Sequence, residues 1–290
     1  PEFTSRAREL LGWGTEAGAV PATGDLDITD RDGAAEAVYV AQTDTVISKD
    51  GKDYGKFSIA TDGKWTFTLD NVNSSVQELG ASDQVSLTVP VTTGDGTTQI
   101  VAITINGTND VPTIAVKTDA DDLTGSLMED GGTLKATGSL TIADTDTGEN
   151  QFKTTSDYTG TYGGLTITAD GDWEYTLDNT GSKVQGLKQG EVVTDVITVY
   201  ALDGSATEDV TITITGTNDN PTITSTTPAG KFEGSIVEDT ASVTGQLAIT
   251  DADGGESRFK VQTDDTAPTY GTFSITDTGC LLYTSDAADE

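Results

Sequence analysis

Apolar and small polar residues alternate one for one along much of the chain. Trp65, Phe67 and Leu69 alternate with Thr66 and Thr68, and Trp173, Tyr175 and Leu177 repeat the pattern. Val101, Ile103 and Ile105 alternate likewise, as do Val210, Ile212 and Ile214 with Thr211, Thr213 and Thr215. Successive side chains of a strand point to opposite faces, so each run places one face in a core and its threonine face in water. The runs are short and punctuated by Asp-Gly and Asn-Asp turns. They predict an all-β chain of antiparallel β-sandwiches with about seven strands each. Only Val76–Leu79 and Val184–Leu187 suggest a helical turn.

The same segments recur in register. Gly107-Thr-Asn-Asp-Val-Pro-Thr-Ile114 returns as Gly216-Thr-Asn-Asp-Asn-Pro-Thr-Ile223 after 109 residues, and Trp65 returns as Trp173 after 108. Tyr54-Gly, Tyr162-Gly and Tyr270-Gly keep the 108 spacing, and Val76-Gln-Glu-Leu79 matches Val184-Gln-Gly-Leu187. The pairs Asp30/Asp32, Asp144/Asp146 and Asp251/Asp253 mark a further shared landmark. A unit this long is too large for a solenoid repeat and fits a string of domains. The expected boundaries are 1–111 for a first repeat, with 1–13 unassigned in style, 112–220 for a second, and 221–279 for a truncated third. Pro112 and Pro221 stiffen the junctions by fixing their own φ and holding the preceding residue extended.

Both ends stand apart. The position that should carry the third repeat's tryptophan is Leu281, and Cys280–Glu290 reads as the translation of a sequencing-adapter end. Residues 280–290 are therefore expected to be read-through rather than natural protein. The chain begins at Pro1 without a signal-peptide pattern and reads as a fragment.

Composition narrows the chemistry. Of 290 residues, 15 are Lys or Arg against 48 Asp or Glu, a formal charge of −33. Phosphate-rich partners would be repelled, which argues against nucleic acid and anionic membranes. No apolar run is long enough to enter a bilayer as a spanning helix. With no histidine and one cysteine, His-dependent triads, His-ligated metals and internal disulfides are excluded. Acidic pairs could in principle cleave glycosides. They recur once per unit at turns and ends, however, and no phosphate loop or nucleophile elbow accompanies them, so no enzyme is expected.

Tyr54-Gly-Lys-Phe-Ser-Ile59, Asp62-Gly-Lys-Trp65, Leu69-Asp-Asn71 and Gly107-Thr-Asn-Asp110 resemble the signatures of VCBS repeats. The second unit carries the same set at Tyr162, Asp170-Gly-Asp-Trp173, Leu177-Asp-Asn179 and Gly216-Thr-Asn-Asp219. These are cadherin-like, immunoglobulin-like sandwich modules of bacterial surface proteins and type I-secreted RTX adhesins. The resemblance implies an extracellular chain, often calcium-dependent, that extends from the cell surface or serves cell adhesion and biofilm formation. Its partners would be neighbouring repeats of the same chain, surface glycans, or like repeats on other cells. An accessory stalk or carbohydrate-binding module of a secreted hydrolase is the alternative.

Thr217-Asn218-Asp219-Asn220-Pro221 looks like a cadherin linker, and Asn109-Asp110 is its weaker counterpart before Val111. Downstream come Glu129-Asp130 and Glu238-Asp239, then Asp144/Asp146 and Asp251/Asp253. The resemblance implies that these residues hold Ca2+, which takes six to eight hard oxygen ligands. In an extended D-x-D both carboxylates lie on one side and can chelate one ion. Without a cation they repel, by about 1 kcal/mol per pair in water and about 4 kcal/mol at an effective dielectric of 20. Asn-Asp and Asp-Gly are also ordinary turn formers, and acidic surface confers solubility. Asp70/Asn71, Asp178/Asn179, Asp95-Gly96 and Asp203-Gly204 read as turns, and Trp65 and Trp173 as core.

Overall fold

The computed structural model describes residues 13–15, 21–29, 37–117, 120–154, 158–226, 234–236, 242–263 and 271–285. Asp30, Asp32, Glu238 and Asp239 lie outside the described residues. The chain is all-β as the alternation predicts. In the first repeat one sheet runs β2 (Ala22–Asp25), β5 (Lys64–Leu69), β4 (Lys52–Ile59), β3 (Gln42–Lys49). The facing sheet runs β1 (Trp13–Thr15), β7 (Thr98–Asn106), β6 (Gln84–Thr92). The second repeat has the order β11 (Tyr158–Thr159), β12 (Gly163–Ile167), β13 (Asp172–Leu177), β10 (Lys135–Ala143), β8 (Thr113–Val116). Its other sheet is β14 (Val192–Tyr200), β15 (Thr207–Thr215), β9 (Thr124–Met128). A last sheet runs β16 (Thr222–Ser225), β17 (Ser242–Thr250), β20 (Cys280–Ser285), β19 (Gly271–Ile275), β18 (Gln262–Thr263).

Contacts divide the chain into two compact units. One is Pro1–Ala115 with Thr141–Lys153 and Tyr200–Thr207; the other is Val116–Leu140 with Thr154–Val199 and Glu208–Glu290. In the first, the inward residues of the alternating runs make the core, with Phe57, Trp65, Phe67, Ile103 and Ile105 all buried and Phe57 stacked on Trp65. In the second, Trp173, Tyr175, Val210, Ile212 and Ile214 are buried in the same way. The helical turn is a short helix, Ser74–Gln77, whose N-cap Asn73 accepts from the Ser75 N–H at 2.9 Å. At Val184–Leu187 the chain makes only turns, with Leu187 N–H donating to the Val184 carbonyl at 3.0 Å.

One feature differs from the pattern-based expectation. β1 pairs with β7, and β9 with β15, in parallel rather than antiparallel register. β1 and β9 are end strands of their three-stranded sheets, beside partners about 90 residues away in sequence, a pairing that alternation cannot report. Cys280–Ser285 forms β20 between β17 and β19, where β13 stands in the second repeat.

A glycine faces the tryptophan in each complete repeat. Gly24 pairs with Trp65 and Gly138 with Trp173, and a methyl at either glycine would meet the indole at 2.5 Å. The third repeat keeps Gly245 opposite Leu281, and a methyl there would sit at an ordinary 3.4 Å. Gly138→Ala is expected to lower its unit's calorimetric melting transition by roughly 10 °C, about 2 kcal/mol of overpacking. Gly245→Ala should leave it within error. Equal effects of the two substitutions would show that the indole does not set the need for glycine.

Candidate functional site

Two acidic clusters form, each inside one compact unit. In the first, the D-x-D segment after β10 turns so that the Asp146 N–H donates to Asp144 Oδ1 at 3.0 Å. Asp146 in turn accepts the Asp110 N–H at 2.8 Å through Oδ2. Asn109 donates from Nδ2 to Asp203 Oδ2 at 3.0 Å and to the Asp110 carbonyl at 2.6 Å. Asn150 Oδ1 accepts from the Asp144 N–H, and Thr147 N–H reaches the Glu78 carbonyl at 3.1 Å. Asp144, Glu149 and Asp203 then each present a carboxylate oxygen, all within 4.8 Å of one another. Gly80 makes room for them: a methyl there would meet Glu149 Oε1 at 2.8 Å.

The second cluster repeats the scaffold. Asp219 N–H donates to Asp253 Oδ2 at 3.0 Å, and Asp253 N–H to Asp251 Oδ1 at 3.1 Å. Gly254 N–H reaches the Gly186 carbonyl at 3.1 Å, as Thr147 does at Glu78. Asn218 donates to the Asp219 carbonyl at 2.8 Å. Glu129 is fully buried and accepts from Thr217 N–H at 3.1 Å and Gln185 Nε2 at 3.2 Å. Asp130 has φ 52°, and Asn179 holds it from both sides by accepting from its N–H at 3.0 Å and donating to its carboxylate at 2.7 Å.

Sequence order places Glu129–Asp130 with the first junction, whereas the structure places them in the second cluster. The reason is β9, which runs parallel to β15 with Met128 opposite Thr215, so the residue after it lands beside Thr217. Asn220 is exposed, and Glu238 and Asp239 lie outside the described residues. Sequence reasoning missed Glu149 and Asn150 and read Asp203 only as a turn. Asp203 does make that turn, through Ser205 N–H at 3.2 Å, while its other oxygen faces the cluster through Asn109. Glu149 had a legible signal: Asp144-Thr-Asp-Thr-Gly-Glu149 recurs as Asp251-Ala-Asp-Gly-Gly-Glu256.

The donor set fits a hard divalent cation. In the first cluster Asp144 Oδ2, Asp146 Oδ1 and Glu149 Oε2 are buried without a hydrogen-bond partner; in the second, Asp219 Oδ2 and Asp253 Oδ1 are. Asp146 and Asp253 are 0% and 1% exposed. A buried carboxylate oxygen with no donor costs free energy unless a cation meets it. No nitrogen or sulfur ligand type lies in either cluster, which favours calcium over zinc or copper.

Burial raises the pKa of Asp146 and Glu149, and nearby carboxylates add to it, Asp144 and Asp110 at the first and Asp146 and Asp144 at the second. Glu129 and Asp219 are also raised, by burial first and then by Asp219 and Asp130 at Glu129 and by Asp130 and Asp253 at Asp219. Such acids hold protons in the folded state at a pH where the unfolded chain has lost them, so calcium-free stability falls as pH rises through that window. Metal-stripped protein should therefore melt higher at about pH 5 than at about pH 7. Opposite-acting acids such as Asp172, held below the ordinary range by Ser139 and then Lys117, lose their contribution only at lower pH. A melting temperature that falls steadily on acidification from neutrality would contradict this.

The fold is a string of β-sandwich repeats with an acidic cluster in each compact unit. Residues 109–216 match the family model of the bacterial cadherin-like domain. No curated protein matches the chain. Among solved structures, a protocadherin gammaB7 EC3-6 cis-dimer is 14% identical at a TM-score of 0.41, covering 100% of this chain and 66% of that one. Protocadherin gamma B7 domains 1-4 are 16% identical at 0.40, covering 96% and 66%. Drosophila N-cadherin EC1-4 is 16% identical at 0.34, covering 99% and 67%. The chain thus spans about two thirds of the length of these structures. Among the described residues no helix is long and apolar enough to cross a membrane.

Proposed function

We propose that this chain is a repeat segment of a large secreted bacterial surface adhesin, in which calcium at Asn109, Asp110, Asp144, Asp146, Glu149 and Asp203 fixes one repeat to the next. An equivalent site uses Glu129, Asp130, Asn218, Asp219, Asp251 and Asp253. The segment extends a binding domain from the cell or contributes to cell–cell adhesion, and it performs no catalysis. One observation carries the reading: the fully buried Asp146 accepts the N–H of Asp110, across the repeat boundary in sequence, while its other oxygen has no partner. The backbone bonds pre-organise the carboxylates, and the ion supplies the positive charge that turns their repulsion into attraction.

Calorimetric titration and small-angle scattering test this on the whole chain, first metal-stripped and then in millimolar calcium. Saturable calcium binding with a narrower spread of intramolecular distances is the expected result. Absence of binding, with scattering unchanged, would leave the acids as turn formers on a passive spacer.

A further inference from the structure

A cavity of about 300 Å³ lies on the outer face of the first repeat's four-stranded sheet and shares no residue with either acidic cluster. Its floor is a row of three exposed side chains in register across the sheet. Val46 on β3 lies opposite Lys56 on β4, and Lys56 lies opposite Thr68 on β5. Asp53, Asp70 and Asn73 line the end where β5 leaves the sheet. A bulge shapes that end. The pairing of β3 with β4 slips by one residue between Ile47 and Ser48, so that Ser48 faces Asp53. The extra residue, Tyr54, is buried, and Asp53 remains exposed. Bulges of this kind bend a strand and re-aim its side chains.

The second repeat keeps the framework of this corner and changes the side chains around the cavity. Gly55, Leu69 and Asp70 correspond to Gly163, Leu177 and Asp178, whereas Val46, Asp53 and Lys56 correspond to Thr154, Thr161 and Gly164. The shared core and turn therefore do not call for a valine, an acid and a lysine here. Lys56 makes no ion pair or hydrogen bond among the described residues, although the chain has 48 acids to 15 bases.

We infer that this cavity binds one neutral hexose residue of a glycan. Size sets the first limit. Pockets for drug-sized ligands run from about 300 to about 1,000 Å³, so a cavity at the small end suits a single ring rather than a peptide or a helix. Charge sets the second. A cation would meet the Lys56 ammonium at the centre of the floor, and an anion would meet Asp53, Asp70 and the field of a chain at −33. A hydroxyl both donates and accepts, so an uncharged polyol satisfies both kinds of group at once. Ser48 Oγ donates to Asp53 Oδ1, which leaves Oδ2 to accept from the ligand. Asn73 Oδ1 takes the Ser75 N–H, which leaves its Nδ2 to donate beside Lys56 and Thr68. Val46, 51% exposed, offers an apolar contact to the C–H face of the ring. The inference goes beyond the extender role and does not depend on calcium at either cluster.

Amide chemical shifts of the whole chain, titrated with methyl glucoside, methyl galactoside and methyl mannoside with and without calcium, read it. The expected result is saturable shifts at Gly55, Lys56 and Leu69 with at least one glycoside, at a dissociation constant of about a millimolar. Gly163, Gly164 and Leu177 should stay still. Lys56→Ala should weaken binding by about tenfold, and Thr68→Arg, which fills the floor from the next strand, should abolish it. Both positions are exposed, so if one variant fails to fold the other decides. No saturable shift with any of the three sugars overturns the inference, as does binding that Lys56→Ala leaves unchanged. Tighter binding of glucuronate or of free alanine also overturns it, by assigning the cavity to an anion or a zwitterion. A failure of calcium to bind would leave these shifts in place, so the two readings fail separately.

Discussion

Asp146→Asn is expected to raise the melting temperature in metal-stripped buffer and to lower it in millimolar calcium. The carboxylate's Oδ2 takes the Asp110 N–H, and an asparagine carbonyl can keep that bond. Its Oδ1 is buried without a donor, close to the charges of Asp144, Asp110 and Asp83. Replacing it by an amide removes one buried negative charge and adds two donors, a gain of about 1 kcal/mol without metal. With calcium the account reverses. An ion at 100 times its dissociation constant stabilises the folded state by about 2.7 kcal/mol. A hundredfold loss of affinity removes most of that, roughly 10 °C for a unit of this size. Asp253→Asn should behave alike in the second cluster. A fall in both buffers would mean that the carboxylates serve only their turns, and the calcium reading would fail.

The second large effect lies in the core of the second unit. Asp195 is 3% exposed and accepts three hydrogen bonds, from Thr161 N–H at 2.8 Å, Tyr162 N–H at 2.9 Å and Tyr175 Oη at 2.7 Å. Burial pushes the Tyr175 hydroxyl's pKa far up, and the Asp195 bond and charge push it further. The first repeat has Leu87 and Phe67 at these positions, both buried. There β3 pairs with the start of β4, Ser48 opposite Asp53. In the second repeat the counterpart strand β11 is described only at Tyr158–Thr159, and the Asp195 carboxylate accepts from the turn that joins it to β12. Asp195→Leu strands one buried and two part-buried donors and should cost about 3 kcal/mol, against about 1 kcal/mol for Tyr175→Phe. The double variant, although it copies the first repeat, should recover only the tyrosine's share, because the two N–H groups of Thr161 and Tyr162 stay unpaired. Urea unfolding of the four proteins gives the coupling. Full recovery in the double variant would show that the hairpin needs no acceptor there.

Much of this was legible without coordinates. The period of two around Trp65, Trp173, Val101 and Val210 named the strands and their buried faces, because burial on one side is all that alternation encodes. The repeat spacing likewise announced which residues are equivalent. Asp144 and Asp146 were readable as neighbouring acids because D-x-D keeps them two positions apart, whereas the turn that bonds Asp146 N–H to Asp144 was not. Glu129 was not assignable: its place depends on β9 running parallel to β15, and nothing local to Leu-Met-Glu-Asp records which strand it meets. Asp203 was half-read for the same reason, since its turn bond is local and its approach to Asn109 is not.

Composition and periodicity alone established an acidic, all-β, repeating chain with oxygen donors gathered near its repeat boundaries. Those properties follow from residue type and from spacing within a few positions. Which carboxylates meet, which of their oxygens are left without a donor, and why Asp195 can be buried were decided by the packing of distant segments. Each depends on pairings between residues tens of positions apart, and the cost of a buried unpaired group appears only once the groups around it are in place.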